Sequence, residues 1–299
     1  MHKLDFKGDK ISNLSLGTVQ FGLNYGISNV NGQPLLVEVQ KIIDYVIKHG
    51  INCFDTASAY GNSEEVLGNV LKKHDNHFLI SKLKSEEFHN HLDETLKKSL
   101  NKLCVESIYG LLLHDSQLLS SWTQKETSKV EQLIQSRKIK YFGVSIYTSE
   151  DFEAALENDS ITLIQIPFNI FDQRAIAFNW FEKAKAKNKL IFIRSVFLQG
   201  LFFMDQKRLP KELQAAKEYL DRLEELALAL SMSKIELALS YVNSVAKDSV
   251  ILFGCDSFLQ AQENISIFNT LRELSDDEKK NIFNIFKDVP ENIFNPTKW

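Results

Sequence analysis

Short apolar runs alternate with amphipathic stretches along the 299-residue chain, and this alternation limits the possible folds more than any other feature. Runs this short that are apolar throughout are typical of parallel strands buried on both faces. The stretches between them carry apolar residues at the three-and-four spacing of an amphipathic helix. Eight strands are predicted: Leu14–Leu16, Asn52–Phe54, Phe78–Ile80, Ile108–Leu113, Lys140–Val144, Leu163–Ile166, Leu190–Ile193 and Val250–Phe253.

The helical stretches begin and end at recognisable signals. The first predicted helix carries its apolar residues from Leu35 to Ile47 and is closed by Gly50, a typical glycine C-cap. Two capping boxes are predicted from their spacing, Thr148 with Asp151 and Ser257 with Gln260. Further helices are predicted at Glu86–Leu103, Leu213–Leu230, Ile235–Val245 and Ser275–Lys287, the last followed by a tail that ends at Trp299.

Eight strands that alternate with helices predict an α/β fold of the (β/α)8 TIM barrel type, with right-handed crossovers. The length alone leaves room for two domains, but no Pro-, Gly- or Ser-rich linker divides the chain. Residues 1–299 are therefore predicted to form a single domain with an added C-terminal helix and tail. A doubly wound open sheet is the alternative. It is less favoured because no G-x-G-x-x-G follows the first strand and no Walker loop occurs.

Composition excludes several functional classes. The chain is 44% hydrophobic with a formal charge of −4, and no apolar run approaches the length of a membrane helix. Lys and Arg form no block, so neither nucleic acid nor a membrane is an expected partner. The N-terminal segment lacks the apolar core of a signal peptide, and the three cysteines are scattered. We therefore expect a cytoplasmic protein with reduced thiols and no metal site.

Polar side chains interrupt the apolar pattern where the predicted strands end. The C-terminal ends of barrel strands surround one bowl, where the chemistry of such barrels takes place. Any one of these residues alone is explained as a cap, a surface lysine or a core histidine, but four ionisable types around one bowl indicate a site. The residues at or beside these ends are Asp55, Tyr60, Lys82, His114, Ser145, Gln165 and Arg194.

Four of these residues suit the reduction of a carbonyl group. A phenol has a pKa of about 10 and needs a neighbouring cation to release its proton, a role that Lys82 can take for Tyr60. Asp55 would hold Lys82 charged and oriented, and His114 would donate a hydrogen bond to the same substrate oxygen. No side chain supplies a hydride, so this interpretation implies a nicotinamide cofactor.

The segments around these positions resemble the aldo-keto reductase superfamily over nearly the whole chain. Residues 50–64, GINCFDTASAYGNSE, are similar to the family signature G-I-x-x-x-D-T-A-x-x-Y-G-x-S-E. The resemblance implies a (β/α)8 barrel that reduces an aldehyde or ketone to an alcohol, with NADPH extended across its C-terminal face. It places a catalytic tetrad on Asp55, Tyr60, Lys82 in the segment ISK, and His114 in the segment LLLH.

The same resemblance implies where NADP or NAD would bind. Ser145 in GVS and Gln165 in QIPFN match residues that hold the nicotinamide carboxamide, although Ile146 replaces a family asparagine. Arg194 stands where the family has an aromatic residue. Its guanidinium could stack on a ring, bind an anionic substrate group, or point outward to a carboxylate. The cofactor residues implied by the resemblance are Gly17, Thr18, Ser145, Gln165, Arg194, Ser195, Leu198, Gly200, Gly254, Asp256, Gln260, Glu263 and Asn264.

The segment Gly254–Asn264 puts the usual NADPH preference of the family in doubt. It contains no Lys or Arg to bind the 2′-phosphate of NADPH. Asp256 would repel that phosphate and could accept a hydrogen bond from the ribose 2′-hydroxyl of NADH. The alternative is that Asp256 only caps the helix that follows.

The sequence predicts only the class of the substrate. The segments GTVQFGLNYG and RSVFLQGL resemble bacterial members associated with sugar and surface-polysaccharide metabolism, which favours a small sugar-derived carbonyl compound. Tyr25 and Trp122 lie on loops after strands and are candidates to line its pocket. Two other functions stay open: an aldolase that forms a Schiff base on Lys82, and a non-catalytic barrel that binds the cofactor and regulates a partner.

Overall fold

Eight parallel strands form a closed barrel in the computed structural model, which describes residues 1–29 and 31–299. The last strand pairs with both the first and the seventh strand of the ring, which closes it. The predicted (β/α)8 barrel is therefore confirmed. In chain order, the strands are β1 Lys3–Phe6, β2 Asp9–Ser12, β3 Leu14–Gly17, β4 Cys53–Asp55, β5 Phe78–Leu83, β6 Ile108–Leu113, β7 Ile139–Ser145, β8 Leu163–Pro167, β9 Leu190–Arg194 and β10 Val250–Gly254.

All eight predicted strands are present in the barrel, and most of them extend beyond the predicted C-terminal end. β4 ends at Asp55, β7 at Ser145 and β9 at Arg194, one residue further than the apolar pattern indicated. These polar residues still pair with the neighbouring strands. The apolar pattern stops earlier than the ladder because the side chains at the ends face the bowl rather than the core.

Helices surround the barrel and connect its strands. The helices are α1 Leu36–Lys48, α2 Ser63–Leu71, α3 Ser85–Asn90, α4 Leu92–Leu103, α5 Gln124–Gln135, α6 Ser149–Glu157, α7 Arg174–Ala177, α8 Trp180–Ala186, α9 Lys217–Ala229, α10 Lys234–Val245, α11 Phe258–Asn269, α12 Asp276–Phe286 and α13 Glu291–Phe294. Within the described ranges, none of them is long and apolar enough to cross a membrane.

Three details of the helix prediction are wrong. The stretch predicted as one helix, Glu86–Leu103, is two helices, because the backbone leaves the helical region at His91, with φ −135°. The stretch Leu213–Leu230 begins as a 3-10 turn over Lys211–Ala216 and becomes α-helical only at Lys217. At α11 the Ser257 hydroxyl accepts from the Gln260 N–H, but the Gln260 side chain accepts from the Asp256 N–H instead of completing the capping box.

A hairpin that the periodicity did not reveal closes the N-terminal end of the barrel. β1 and β2 pair antiparallel, and Leu4, Phe6 and Ile11 pack with the apolar side chains that fill the barrel interior. Lys140, near the start of β7, donates to both carboxylate oxygens of Asp9, at 2.6 and 2.7 Å. A second cluster of apolar side chains, separate from those inside the barrel, fills the space between the strands and the surrounding helices. With one end of the barrel closed, the C-terminal bowl is the open end.

Candidate active site

An ion pair between Asp55 and Lys82 lies at the bottom of the bowl. The register pairs Asp55 with Ile80, so Lys82, two residues further along β5, points to the same face. Lys82 Nζ donates to Asp55 Oδ1 at 2.5 Å and to the Thr56 carbonyl at 2.8 Å, and the Gln165 amide donates to Asp55 Oδ2 at 2.9 Å. Both charged side chains are buried. Burial lowers the pKa of Lys82, an effect that the Asp55 carboxylate opposes.

Tyr60 and His114 lie above this pair. Lys82 Nζ is 5.1 Å from the centre of the Tyr60 ring, and the Tyr60 and His114 rings meet edge to face at 5.3 Å. Burial, and after it the Asp55 carboxylate, raises the pKa of Tyr60. The sequence predicts that a neighbouring cation makes Tyr60 a better acid, but desolvation of the phenol outweighs the charge of Arg194, which acts in that direction. Tyr60 therefore keeps its proton at neutral pH.

His114 follows β6 directly, and its imidazole is neutral at physiological pH. Burial lowers its pKa to about 4, and the positive charges of Lys82 and Arg194 act in the same direction. A neutral imidazole carries one N–H donor and one acceptor nitrogen. Together, Tyr60 and His114 thus offer a hydroxyl and a ring nitrogen to an oxygen placed between them.

Arg194, the last residue of β9, lies across the bowl from β4. Its guanidinium stacks on Tyr147, with Cζ 4.0 Å from the ring centre. It donates to the Ile146 carbonyl at 2.9 Å, to Ser145 Oγ at 3.3 Å and to Ser195 Oγ at 3.3 Å. No carboxylate of the described ranges lies within 4.0 Å of it, so the outward, paired arginine is not what the structure contains.

A cavity of about 770 Å³ extends from the strand ends to α11. Asp55, Tyr60 and His114 lie at one end, and Glu263 and Asn264 at the other. Every cofactor residue implied by the resemblance lines this cavity except Leu198, whose side chain is buried in the core. No cluster of three or more potential metal ligands occurs among residues 1–29 and 31–299.

Two loops meet over the middle of the cavity. The loop after β3 contacts the loop after β9, where the Ile27 N–H donates to the Gln199 carbonyl at 3.0 Å. Gly200, with φ +93°, lies so close to Ser28 that a Cβ would be 1.9 Å from the Ser28 hydroxyl oxygen. Glycine is required here because both the backbone conformation and the close approach exclude a side chain.

The far end of the cavity is formed by β10, the segment after it and α11. Gly254 ends β10, and a Cβ there would be 2.5 Å from Gln20 Nε2. Ser257, not Asp256, caps α11. Two buried oxygens, Gln20 Oε1 and Asp256 Oδ1, have no hydrogen-bond partner among the described residues. Burial also raises the pKa of Asp256.

The structure places Trp122 away from the cavity and adds lining residues that the sequence did not predict. Tyr25 lines the cavity, but Trp122 stacks on Phe88 at 6.0 Å in the core and donates to Thr127. The tail reaches the cavity through Thr297 rather than through Trp299, which donates to the Asn292 carbonyl. Gln20, Tyr147 and Thr297 are among the lining residues that the sequence did not predict. In the sequence, the only feature that marks Tyr147 and Gln20 as candidates is that they come shortly after strand ends.

A closed (β/α)8 barrel with a buried Asp–Lys pair beneath a tyrosine and a histidine defines a class of oxidoreductases. The profile of the Aldo/keto reductase family matches residues 13–286, so the chain belongs to this family of NAD(P)-dependent oxidoreductases, which act on small carbonyl compounds. The sequence is 24% identical, over 80% of this chain and 85% of the relative, to an uncharacterized oxidoreductase, YqkF, of Bacillus subtilis.

Solved structures share the fold over the whole barrel. Aldo-keto reductase AKR11C1 from Bacillus halodurans, in its holo form, superposes with a TM-score of 0.75 at 21% identity, covering 100% of this chain and 99% of that one. An aldo/keto reductase from Klebsiella pneumoniae in complex with NADP and acetate has a TM-score of 0.71 at 19% identity, with 95% of each chain covered. The family expected from the sequence is confirmed.

Proposed function

We propose that the protein reduces an aldehyde or ketone to an alcohol with NADH or NADPH, using Tyr60 as the proton donor. The observation that carries the proposal is the buried Asp55–Lys82 pair directly beneath Tyr60 and His114. A carbonyl oxygen gains negative charge during reduction, and a protonated phenol beside a neutral imidazole can stabilise and then protonate it.

Lys82 and Asp55 support Tyr60 rather than contact the substrate. Lys82 has no exposed surface and donates to Asp55 and Thr56, so its ammonium is held in one place. As Tyr60 loses its proton, the nearby ammonium stabilises the phenolate. The same burial disfavours the aldolase alternative, because a Schiff-base lysine has to reach the substrate carbonyl.

The cavity fits an extended nicotinamide cofactor, which supplies the hydride when bound. Its lining offers Ser145 at the catalytic end, Ser195 in the middle, and Glu263 and Asn264 at the adenosine end. The unpartnered oxygens of Gln20 and Asp256 are acceptors available to ligand hydroxyl or amide groups. The Gln165 amide donates to Asp55 here, so a carboxamide contact would use its remaining hydrogen-bonding capacity.

Tyr60→Phe tests the mechanism. Because it removes the donated proton and leaves the ring, we expect kcat/KM to fall by about 10³-fold. The assay is a panel of aldehydes, ketones and sugars followed at 340 nm with each cofactor. Tyr219→Phe on α9 is the matched control, since Tyr219 lies outside the cavity. Equal turnover by Tyr60→Phe and the wild type would contradict the mechanism. Cofactor binding with no turnover across the panel would favour the regulatory barrel.

We also propose that the enzyme binds NADH at least as tightly as NADPH. The charged residues that line the adenosine end of the cavity in the described chain are Asp256 and Glu263, both acidic. A 2′-phosphate placed there meets two negative charges and no cation. Ser257 takes the cap position of α11, which leaves the Asp256 carboxylate available to a ribose hydroxyl.

Asp256→Ser tests this preference through binding alone. We expect the ratio Kd(NADPH)/Kd(NADH) to fall about tenfold, since like-charge repulsion of about 1.4 kcal/mol is relieved. The measurement is calorimetric titration of each reduced cofactor. Asp277→Asn on α12, outside the cavity, should leave the ratio unchanged. A wild-type Kd for NADPH that is lower than the Kd for NADH would refute the proposal.

A further inference from the structure

We infer that Arg194 selects carbonyl substrates that carry an anionic group, a carboxylate or a phosphate, close to the carbonyl. The inference rests on the proposed function and names the substrate class that the catalytic end of the cavity is built to accept. It starts from the balance of charge around the strand ends.

Arg194 is a cation without a matching anion. The ammonium of Lys82 is neutralised by Asp55 at 2.5 Å. The guanidinium of Arg194 contacts the Ile146 carbonyl, two serine hydroxyls and the ring of Tyr147, all of which are neutral. Of the described side chains, none with a carboxylate forms a salt bridge with it. A partly buried cation that has no carboxylate partner favours the binding of an anionic ligand.

The Arg194 guanidinium is held in position, but not all of its N–H groups donate hydrogen bonds. The Tyr147 stack and three hydrogen bonds fix its plane, while two of these bonds, at 3.3 Å, are long. A guanidinium has five N–H donors, so two remain for a ligand. A planar, fixed group with free donors is suited to bind the oxygens of a carboxylate or phosphate, and its pre-organisation limits the entropy lost on binding.

The position of Arg194 points to the substrate rather than to the cofactor phosphates. Arg194 lines the same cavity as Tyr60, His114 and Tyr25, and its Nε donates to Ser145 Oγ at the strand ends. The nicotinamide carboxamide that the resemblance places at this end is neutral and needs no cation. An anionic substituent on the substrate is the remaining group that the guanidinium can neutralise.

Matched pairs of aldehydes test the inference. Succinic semialdehyde is compared with butanal, and glyceraldehyde 3-phosphate with glyceraldehyde, so that each pair differs in one anionic group and the two pairs separate carboxylate from phosphate. We expect wild-type kcat/KM to favour one anionic member at least tenfold. Arg194→Gln should remove most of this preference and Arg194→Lys should retain part of it. Arg222→Gln on the exposed surface of α9 is the control and should retain all of it.

Two results overturn the inference while the proposed function stands. One is equal turnover of the charged and neutral members by the wild type. The other is a loss of NADH and NADPH affinity in Arg194→Gln, measured by fluorescence titration, as large as its loss in kcat/KM, because Arg194 would then hold the cofactor. If no aldehyde of either pair, and none of the wider panel, is reduced with either cofactor, the proposed function itself fails.

Discussion

His114 is largely shielded from water in a site that also contains the cations Lys82 and Arg194. Its pKa of about 4 means that the unfolded chain, with an ordinary histidine pKa near 6.5, binds a proton between these values while the folded protein does not. Proton uptake by the unfolded state favours unfolding. The free energy of unfolding should therefore fall as the pH drops from 6.5 towards 4.

The His114 contribution can be isolated with His114→Gln. We expect the stability difference between wild type and variant, measured by urea unfolding, to shift in favour of the variant as the pH falls from 6.5 to 4. The kcat/KM of the wild type should in turn show no titration near pH 6.5, because the imidazole is already neutral there. A parallel decline in the stability of both proteins over this range would show that His114 is not the cause.

The Asp55–Lys82 pair should matter for stability as well as for activity. Lys82→Met leaves the Asp55 carboxylate buried with the Gln165 amide as its only side-chain partner among the described residues, and we expect a loss of about 3 kcal/mol in the free energy of unfolding. The double variant Lys82→Met/Asp55→Leu removes both charges of the pair, so it should be more stable than Lys82→Met while remaining inactive. The measurement is the free energy of unfolding in urea of the wild type, Lys82→Met and the double variant. A double variant less stable than Lys82→Met would show that the buried charge is not the source of the loss.

At the residue level, the signal in the sequence is clearer for the candidate catalytic residues than for the other residues of the cavity. Asp55, Lys82 and His114 are ionisable residues at the ends of apolar runs, where burial makes a polar residue costly and therefore informative. Tyr147 and Gln20 belong to loops, where polar and aromatic residues are common and carry no such signal. The pKa of Tyr60 depends on how deeply the fold buries it, which spacing along the chain does not encode.

The N-terminal hairpin is the element that seals the barrel at the end opposite to the active site. Ile11 of β2 is fully buried against the barrel interior. Ile11→Ala should lower the free energy of unfolding by about 3 kcal/mol, through lost contacts and the cavity left behind. We expect kcat/KM to stay within about twofold of wild type at 20 °C or below. A selective loss of activity without a loss of stability would contradict a purely structural role.

Strands were predicted more reliably than helix boundaries, and the reason is physical. A strand of this barrel is buried on both faces, so its apolar run marks it directly. Glu86–Leu103 shows the opposite case, because α3 and α4 each have an apolar side and a continuous periodicity conceals the break at His91. The hairpin escaped prediction because each of its strands is four residues long and contains two charged residues, so neither forms an apolar run.

The whole barrel depends on one seam between strands that are far apart in sequence. β10 pairs with β3, and Gly17 lies beside Gly254 in that register. Both glycines line the cavity that we propose holds the cofactor. A cofactor bound there contacts both sides of the seam, so its binding free energy adds to the stability of the closed ring.

We expect residues 1–299 to unfold as one cooperative unit whose midpoint rises with cofactor. NADH at 100 times its Kd should add about 2.7 kcal/mol to the free energy of unfolding. Calorimetry checks both statements, since the transition should be single and should move to higher temperature as a whole. Two separate transitions, only one of which responds to NADH, would indicate two domains.

The seam also imposes an order on biosynthesis. β3, at Leu14–Gly17, is translated well before its partner β10, at Val250–Gly254. Until then, β3 and β9 present unpaired edges that can join other chains. The nascent protein is therefore most prone to aggregation while it is still attached to the ribosome, and slow translation of the region after β9 would prolong that exposure.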